Sequence, residues 1–390
     1  MNFLILLLLS VFWGSNSFAE NKKLPRTLQP IVLDSLKIRN DAKMNRMDLS
    51  ELVEKWSFIR LEAAGIACAG EIRLVNVIDD YVLLEDIKDG KVRILLYSIS
   101  GKFIAQIGEQ GEGQGMYQYA TAYTLNPFTK QVLVLDGKRN LRHVYNFEGK
   151  HLESGDLPEF SFMISDIRFV NKDVLLGSNK VMLDNPIAYF MTDIKFSQQQ
   201  LVAPLNVTWS AGAISFASQA FSVFKGDISL LRPFCDTIFG YSENRLYPKV
   251  VLQTKNSVPR GYAIIPGCDY MQTRHRLEIG GFEEKSRIFE TNNYLWIEYQ
   301  TGHLLYNKTT DKGLYHLNQT LYTAKMIPPQ NIIGQTENSF VVSLTAAELF
   351  AWKQQLIQQH ITPAKQFQKL LKDADGTGNP VLIFYTLKDL

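Results

Sequence analysis

Four arginines stand near the start of β-type runs in this 390-residue chain: Arg73, Arg168, Arg232 and Arg287. A guanidinium is planar and permanently charged, and its paired N–H donors match a carboxylate or sulfate edge. Four of them converging on one point would hold a carboxylate, a sulfate or a sugar acid. Each arginine also has an acid nearby in sequence: Glu71, Asp166, Asp236 and Glu290 respectively. An arginine and an acid that recur together in a repeat read first as a tie between neighbouring units.

Other chemistry-bearing stretches fail the spacing their chemistry needs. "GEQGEGQGMY", Gly108 to Tyr117, resembles a phosphate cradle, but it is flanked by strand patterns and has no lysine. A cradle opens a helix whose N-terminal N–H groups face the anion. These glycines read instead as residues that allow positive φ in a crossing loop. "DADGTGN", Asp373 to Asn379, hints at calcium, yet Phe384 stands where the twelfth, bidentate Glu belongs. The histidines at 143, 151, 275, 303, 316 and 360 form no HExxH or His-x-His pair, so no metal site is expected. There is no G-x-S-x-G elbow and no cysteine in a nucleophile setting, so no catalytic residue or cofactor is assigned. Tyr117, Tyr119 and Trp296 would form a sugar-stacking platform if exposed, with packing between repeats as the plainer role.

The elements that must position these residues are short strands. "EIRLVNVIDDYVLLEDIKDGKVRILLYSISGKFIAQIG" contains four alternating runs broken at Asp79-Asp80, Asp89-Gly90 and Gly101-Lys102, the pattern of a four-stranded antiparallel meander. The next segment repeats it. Tyr97 and Tyr145 are 48 residues apart, as are Gly101 and Gly149. "LLED" ending at Asp86 answers "LVLD" ending at Asp136, and "EIRLVN" at Glu71 answers "DIRFVN" at Asp166, 95 residues on. Four-strand units at this period predict an all-β fold, a β-propeller. The period alone is compatible with six or seven blades.

Near the C-terminus the pattern turns helical. Between about 345 and 373, Leu349, Trp352, Leu356 and Ile357 share a face, and Pro363 divides the segment into two helices. The strand "NPVLIFYTLKDL" follows, which predicts a terminal strand completing an already opened unit and so closing the ring.

Residues 1–19 have the outline of a signal peptide. Phe3 to Trp13 is apolar and short for a bilayer span, and Ser17 and Ala19 suit cleavage after Ala19. No cysteine lies there for lipid anchoring. Residues 20–50 read as a loose leader and 51–390 as the propeller. A formal net charge of +2 gives no electrostatic case for nucleic acid. Cys68, Cys235 and Cys268 allow one disulfide plus a free thiol, or three thiols.

With "FIRLE" at Phe58 to Glu62, "GKFIAQIGEQGEGQGMYQ", "DTIFGYSENRLYPKVVL" and the closing "GNPVLIFYTLKDL", the chain resembles the six-bladed β-propeller family of exported proteins of Gram-negative gut anaerobes, related in shape to NHL-repeat propellers. The likeness covers roughly Trp56 to Leu390. It departs at Gln114 and Met116, where the family's glycine loop carries Pro and Glu. The resemblance implies six blades and an exported, periplasmic or secreted protein, and it supplies no catalytic residues. The function expected is binding of a ligand or partner (a glycan, a glycopeptide or an envelope protein) on one face or in the channel. A lyase or hydrolase at the channel mouth and a structural scaffold are the alternatives, because propellers host all three.

Overall fold

The computed structural model describes residues 30–390 apart from 35, 40–48, 64, 68, 159–163, 180–186, 205–219, 232–234, 243–244, 255–256, 259–269, 284, 300, 318–330 and 364. The expected signal peptide, Arg232, Cys68 and Cys268 lie outside the described residues.

Three strands precede the first full unit: β1 (Ile31–Asp34), β2 (Ile38–Arg39) and β3 (Val53–Arg60). The first blade is then β4 (Glu71–Ile78), β5 (Tyr81–Lys88), β6 (Lys91–Ser98) and β7 (Phe103–Gln106), with turns at the three breaks read from sequence. Asp89 and Gly90 both adopt positive φ, 53° and 75°, as a two-residue hairpin turn demands. The second blade is β8 (Ala120–Asn126), β9 (Gln131–Asp136), β10 (Leu141–Asn146) and β11 (His151–Asp156). The third is β12 (Ile164–Phe169), β13 (Val174–Asn179), β14 (Ile187–Asp193) and β15 (Gln200–Pro204). The fourth is β16 (Phe221–Phe224), β17 (Asp227–Leu231), β18 (Thr237–Ser242) and β19 (Arg245–Gln253), followed by helix α1 (Tyr270–Gly280). The fifth is β20 (Lys285–Glu290), β21 (Tyr294–Tyr299), β22 (Gly302–Asn307) and β23 (Lys312–Leu317). The sixth opens with β24 (Gly334–Gln335) and β25 (Phe340–Leu344), is interrupted by α2 (Ala346–Gln358) and α3 (Lys365–Leu371), and resumes with β26 (Val381–Leu387).

The sheets number six, so the ring is a six-bladed propeller. β3 supplies the outermost strand of the sixth blade, antiparallel to β26 with Arg60 opposite Val381 and Trp56 opposite Tyr385. Both ends of the propeller chain therefore share one sheet, which removes the open edge. β1 and β2 lie in the segment read as a leader. They add in parallel to the outer edges of the fourth and fifth blades, on β19 and β23. The apolar triplet Ile31-Val32-Leu33 explains this: Leu33 is fully buried among Val250, Leu252 and Ile288.

Each blade interface encloses an apolar cluster, six in all among the described residues. The largest joins blades five and six to the helices, where Leu349, Trp352, Leu356, Phe367 and Leu370 pack beneath Trp296 and Phe340. Ile357, expected on that face, is 58% exposed, because one residue past Leu356 turns it about 100° around the helix axis. Thr345 and Glu348 form a reciprocal capping box that starts α2 at the break in the strand pattern. No helix among the described residues is long and apolar enough to cross a membrane.

The echoes in the sequence have specific causes. Asp86 and Asp136 are buried toward the ends of the second strands of their blades. Asp86 accepts the Gly70 N–H (2.6 Å) and Arg93 Nε (3.0 Å). Asp136 accepts the Gln118 N–H (2.8 Å) and Arg139 Nε (2.7 Å). Each carboxylate thus fastens the chain as it enters the blade. Burial alone would raise the Asp136 pKa, but these donors outweigh it and hold the group below the usual range.

Candidate functional site

The innermost strands β4, β8, β12, β16, β20 and β24 surround the central channel. On each, one residue lies two positions before the pair that closes the hairpin to the second strand: Asn76, Thr124, Arg168, Ser222, Phe289 and Gly334. All six line a single cavity of about 420 Å³. The ring is therefore built from one register position per blade, polar in four of them (Asn76, Thr124, Arg168 and Ser222).

Above this ring the lining is apolar, through Val77, Ile78, Val170, Val223, Phe224 and Phe128, before the polar turn residues Asp79, Lys225, Thr336 and Glu337 at the mouth. Phe128 and Val223 are 59% and 41% exposed at the rim. Phe128 sits in the turn after Asn126, whose Oδ1 accepts the N–H groups of Phe128 and Thr129 (3.0 and 3.3 Å). That side-chain-built turn is a typical use of asparagine. Lys225 and Glu337 stand at the mouth 3.8 Å apart.

Gln335 braces the wall. Its Oε1 accepts from Ser222 Oγ (3.2 Å) and from the Glu290 N–H, while its Nε2 donates to the Val223 carbonyl (2.8 Å). Blades four, five and six are joined through this one side chain. Behind the wall, Lys249 Nζ donates to Glu290 (2.5 Å), Asp227 (2.6 Å) and Ser229 (2.8 Å), and Lys308 donates to the other oxygen of Glu290 (2.9 Å). Burial pushes the Lys308 pKa down, against the opposing pull of Glu290.

Arg168 is the charged member of the ring, 8% exposed. Its Nη1 donates to Asp166 Oδ1 (2.5 Å) and to the Ile167 carbonyl (2.7 Å). Asp166 Oδ2 in turn accepts the Phe221 N–H from the fourth blade (3.0 Å). Desolvation raises the Asp166 pKa although Arg168 draws it down. Arg168 is thus both an interblade tie and a channel residue.

The other expected site residues are placed elsewhere. Arg287 Nε donates to Glu298 Oε2 (2.7 Å) directly across the β20–β21 ladder, an ion pair within one blade and away from the cavity lining. Arg73 is exposed in a β-bulge of β4, where its charge opposes the rise that burial imposes on Glu85. Among the described residues the arginines form no single cluster, because they occupy different register positions on their strands. Tyr117 is a correction: its ring is buried between blades one and two, and burial pushes its hydroxyl pKa up, so it offers no face to a ligand. Trp296 is buried as well, and Tyr119 is 54% exposed.

The glycine loop is a packing element. The Gly115 carbonyl accepts from Tyr145 Oη (2.7 Å), and a Cβ on Gly115 would meet the His151 ring at 2.6 Å. The "DADGTGN" turn folds on Asp375, which accepts the Thr377 N–H and hydroxyl (2.8 and 2.7 Å). No group of three or more potential metal ligands occurs among the described residues.

With this geometry in view, the comparisons with known proteins are direct. The family profile of a domain of unknown function, DUF4934, matches residues 33–386. The chain belongs to the DUF4934 family. A candidate exported protein of Bacteroides fragilis NCTC 9343 is similar at a TM-score of 0.68 and 16% identity, covering 93% of this chain and all of that one. A DUF4221 family member from Bacteroides vulgatus is similar at 0.50 and 10% identity, covering 86% and 97%. Likeness at such identities is one of fold. No curated protein matches this chain.

Sequence reasoning missed most of the ring. Thr124 and Ser222 belong to no motif, and Asn76 only ends the repeated "EIRLVN". The signal that would have found them is a count of two residues back from each first hairpin turn.

Proposed function

We propose that this chain is an exported binding protein whose ligand seats in the central channel, entering from the side of the first hairpin turns. The observation that carries the reading is the cavity of about 420 Å³, walled by all six inner strands, with polar groups at its base and an apolar wall above them. A preformed concavity of a few hundred Å³ with a few convergent polar groups is the usual form of a small-molecule site. Export rests on the signal-peptide outline of residues 1–19 and on the likeness to a candidate exported protein. A periplasmic or secreted location would bring the protein to glycans, glycopeptides and envelope components. A binding role is favoured over hydrolysis because the buried carboxylates beside the cavity, Asp166 and Glu290, are each held in ion pairs.

The test is a thermal-shift screen of the purified protein against chemically varied small molecules, run beside Val223→Trp. Val223 is on the exposed rim, so a tryptophan there narrows the mouth without entering the core. A ligand at one hundred times its Kd stabilises the fold by about 2.7 kcal/mol. Hits that disappear in Val223→Trp support the channel. Hits indifferent to that substitution, or no hit at all, refute it.

A further inference from the structure

We propose that the channel takes an amphipathic carboxylate, an alkyl or aryl body ending in a carboxyl group, with the acid held by Arg168 and the body along the Phe128–Phe224 rim. This rests on the channel-binding reading and narrows it to one ligand class.

Three observations lead there. First, Arg168 is the ring's cationic side chain and is more than nine-tenths buried. Its hydrogen bonds to described residues all leave from Nη1. Nε and Nη2, the edge whose spacing matches two carboxylate oxygens, make none among the described residues. Asp166 does not saturate the guanidinium. It holds Nη1 through one oxygen while its other oxygen takes the Phe221 N–H, so it fixes the arginine in place.

Second, the wall above the ring suits a hydrocarbon. Val77, Ile78, Val170, Val223, Phe224 and Phe128 offer no hydrogen bonds from their side chains. A sugar ring, carrying hydroxyls around its edge, would leave several of them unpaired against this surface, and each such group is costly to bury.

Third, the remaining polar groups of the ring are partly spent on the protein. Ser222 donates to Gln335, and both the amide nitrogen and oxygen of Gln335 are engaged with blades four and five. Between the ring and the charged turn residues Asp79, Lys225 and Glu337, the site therefore pairs one buried anion donor with an apolar wall, and a single terminal acid satisfies both.

The experiment compares 4-phenylbutyrate, its neutral analogue 4-phenylbutyramide, and N-acetylglucosamine on the purified protein, by calorimetric titration and ligand-observed NMR. The expected result is at least tenfold tighter binding of the acid than of the amide, with loss of acid binding in Val223→Trp. Arg168→Lys keeps the charge but loses the paired edge, and should weaken the acid about tenfold while leaving the amide unchanged. The comparison of acid with amide needs no variant, so a fold defect at Arg168 leaves it intact. Equal binding of acid and amide overturns the carboxylate assignment and leaves the channel reading standing. So does a sugar that binds in a Val223-sensitive way while the acid does not. Failure of all three probes at millimolar concentration overturns the assignment, and the broader screen then decides the channel reading by itself.

Discussion

Tyr97 and Tyr145 occupy the same place in adjacent blades, and each hydroxyl donates to a backbone carbonyl thirty residues earlier, that of Ala67 (2.6 Å) and that of Gly115 (2.7 Å). Both rings are buried on third strands, and both acceptors lie where the chain crosses from the previous blade. The repeated tyrosine is therefore a clasp on the crossing loop. Tyr145→Phe removes one buried hydrogen bond and should cost about 1–2 kcal/mol. The check is the urea midpoint, with an unchanged slope. A loss below about 0.3 kcal/mol would mean that water replaces the hydroxyl.

The glycine that follows each tyrosine has a different reason to recur. Gly101 and Gly149 have φ of 90° and 76°. A Cβ would fall 2.2 Å from the Arg60 carbonyl oxygen at the first and 2.5 Å from the Gln106 carbonyl oxygen at the second. Both carbonyls belong to the outer strand of the preceding blade. Gly90 has a similar φ of 75° with nothing within 4 Å of a built Cβ. Gly90→Ala should then cost only the left-handed strain, about 1 kcal/mol. Gly101→Ala and Gly149→Ala add a backbone clash and should cost about 3 kcal/mol or more. Equal losses at the three sites would show that the approach of blades is irrelevant.

These two residues also show what made the fold legible. A turn that needs positive φ against a neighbouring backbone admits glycine almost alone, so the period stood out in the letters. The channel had no such constraint. "EIRLVN" and "DIRFVN" align Arg73 with Arg168 at a separation of 95. The ladders instead equate Ile72, opposite Asp86, with Ile164, opposite Asn179, a separation of 92, with a bulge after each. Arg73 therefore corresponds to Ser165, and Arg168 to Asn76. A slip of three residues is odd, so it turns every side chain to the other face of the sheet. Both strands bulge at the same place, so the bulge leaves their offset unchanged. The similar letters of "EIRLVN" and "DIRFVN" do not mark equivalent positions on the ladder, and for that reason the arginine cluster could not be read correctly from the chain.

His143 should make stability depend on pH between about 6.5 and 4. Burial and the nearby Arg139 hold its pKa down at about 4, while Asp136 pulls the other way and His151 adds to the depression. The unfolded chain protonates this group near 6.5. Between those values the unfolded state binds the extra proton, so stability is full above pH 6.5 and falls as pH drops toward 4. The loss is on the order of 2–3 kcal/mol. Asp136, whose pKa is lowered, contributes to the loss only below the ordinary carboxylate range. Denaturant midpoints from pH 7 to 4 should fall more steeply for the native protein than for His143→Asn. Parallel curves would remove His143 from the account.

The ion pairs behind the channel wall should be costly to break from one side. Glu290 is buried and takes both Lys249 and Lys308. Glu290→Gln leaves two ammonium groups short of their shared counter-charge and should cost about 3–5 kcal/mol. Lys249 keeps Asp227 and Ser229, so the stranded group is chiefly Lys308. Lys308→Met added to Glu290→Gln should then recover part of the loss. Urea midpoints of the single and double variants decide it, and a double variant worse than the sum of its parts would contradict the scheme.

Closure of the ring offers the sharpest test, because two side chains from distant parts of the chain share an acceptor. Asn379, just before β26, donates through Nδ2 to the carbonyls of Glu62 and Ala67 (both 2.6 Å) and accepts the Ala69 N–H at Oδ1 (2.7 Å). The Ala67 carbonyl is the one that Tyr97 also reaches. Asn379 thus clamps the crossing from blade six to blade one against the strand that completes blade six. Asn379→Ala should cost about 2–3 kcal/mol, as three bonds vanish and a buried N–H is orphaned. Combined with Tyr97→Phe, it strips Ala67 of both donors, so the double loss should differ from the sum of the singles by about 0.5–1 kcal/mol. Tyr145→Phe lies in the next interface with no shared partner, and its cycle with Asn379→Ala should add within about 0.3–0.5 kcal/mol. If both cycles are additive, the shared carbonyl carries no coupling, and the clamp and the clasp act independently.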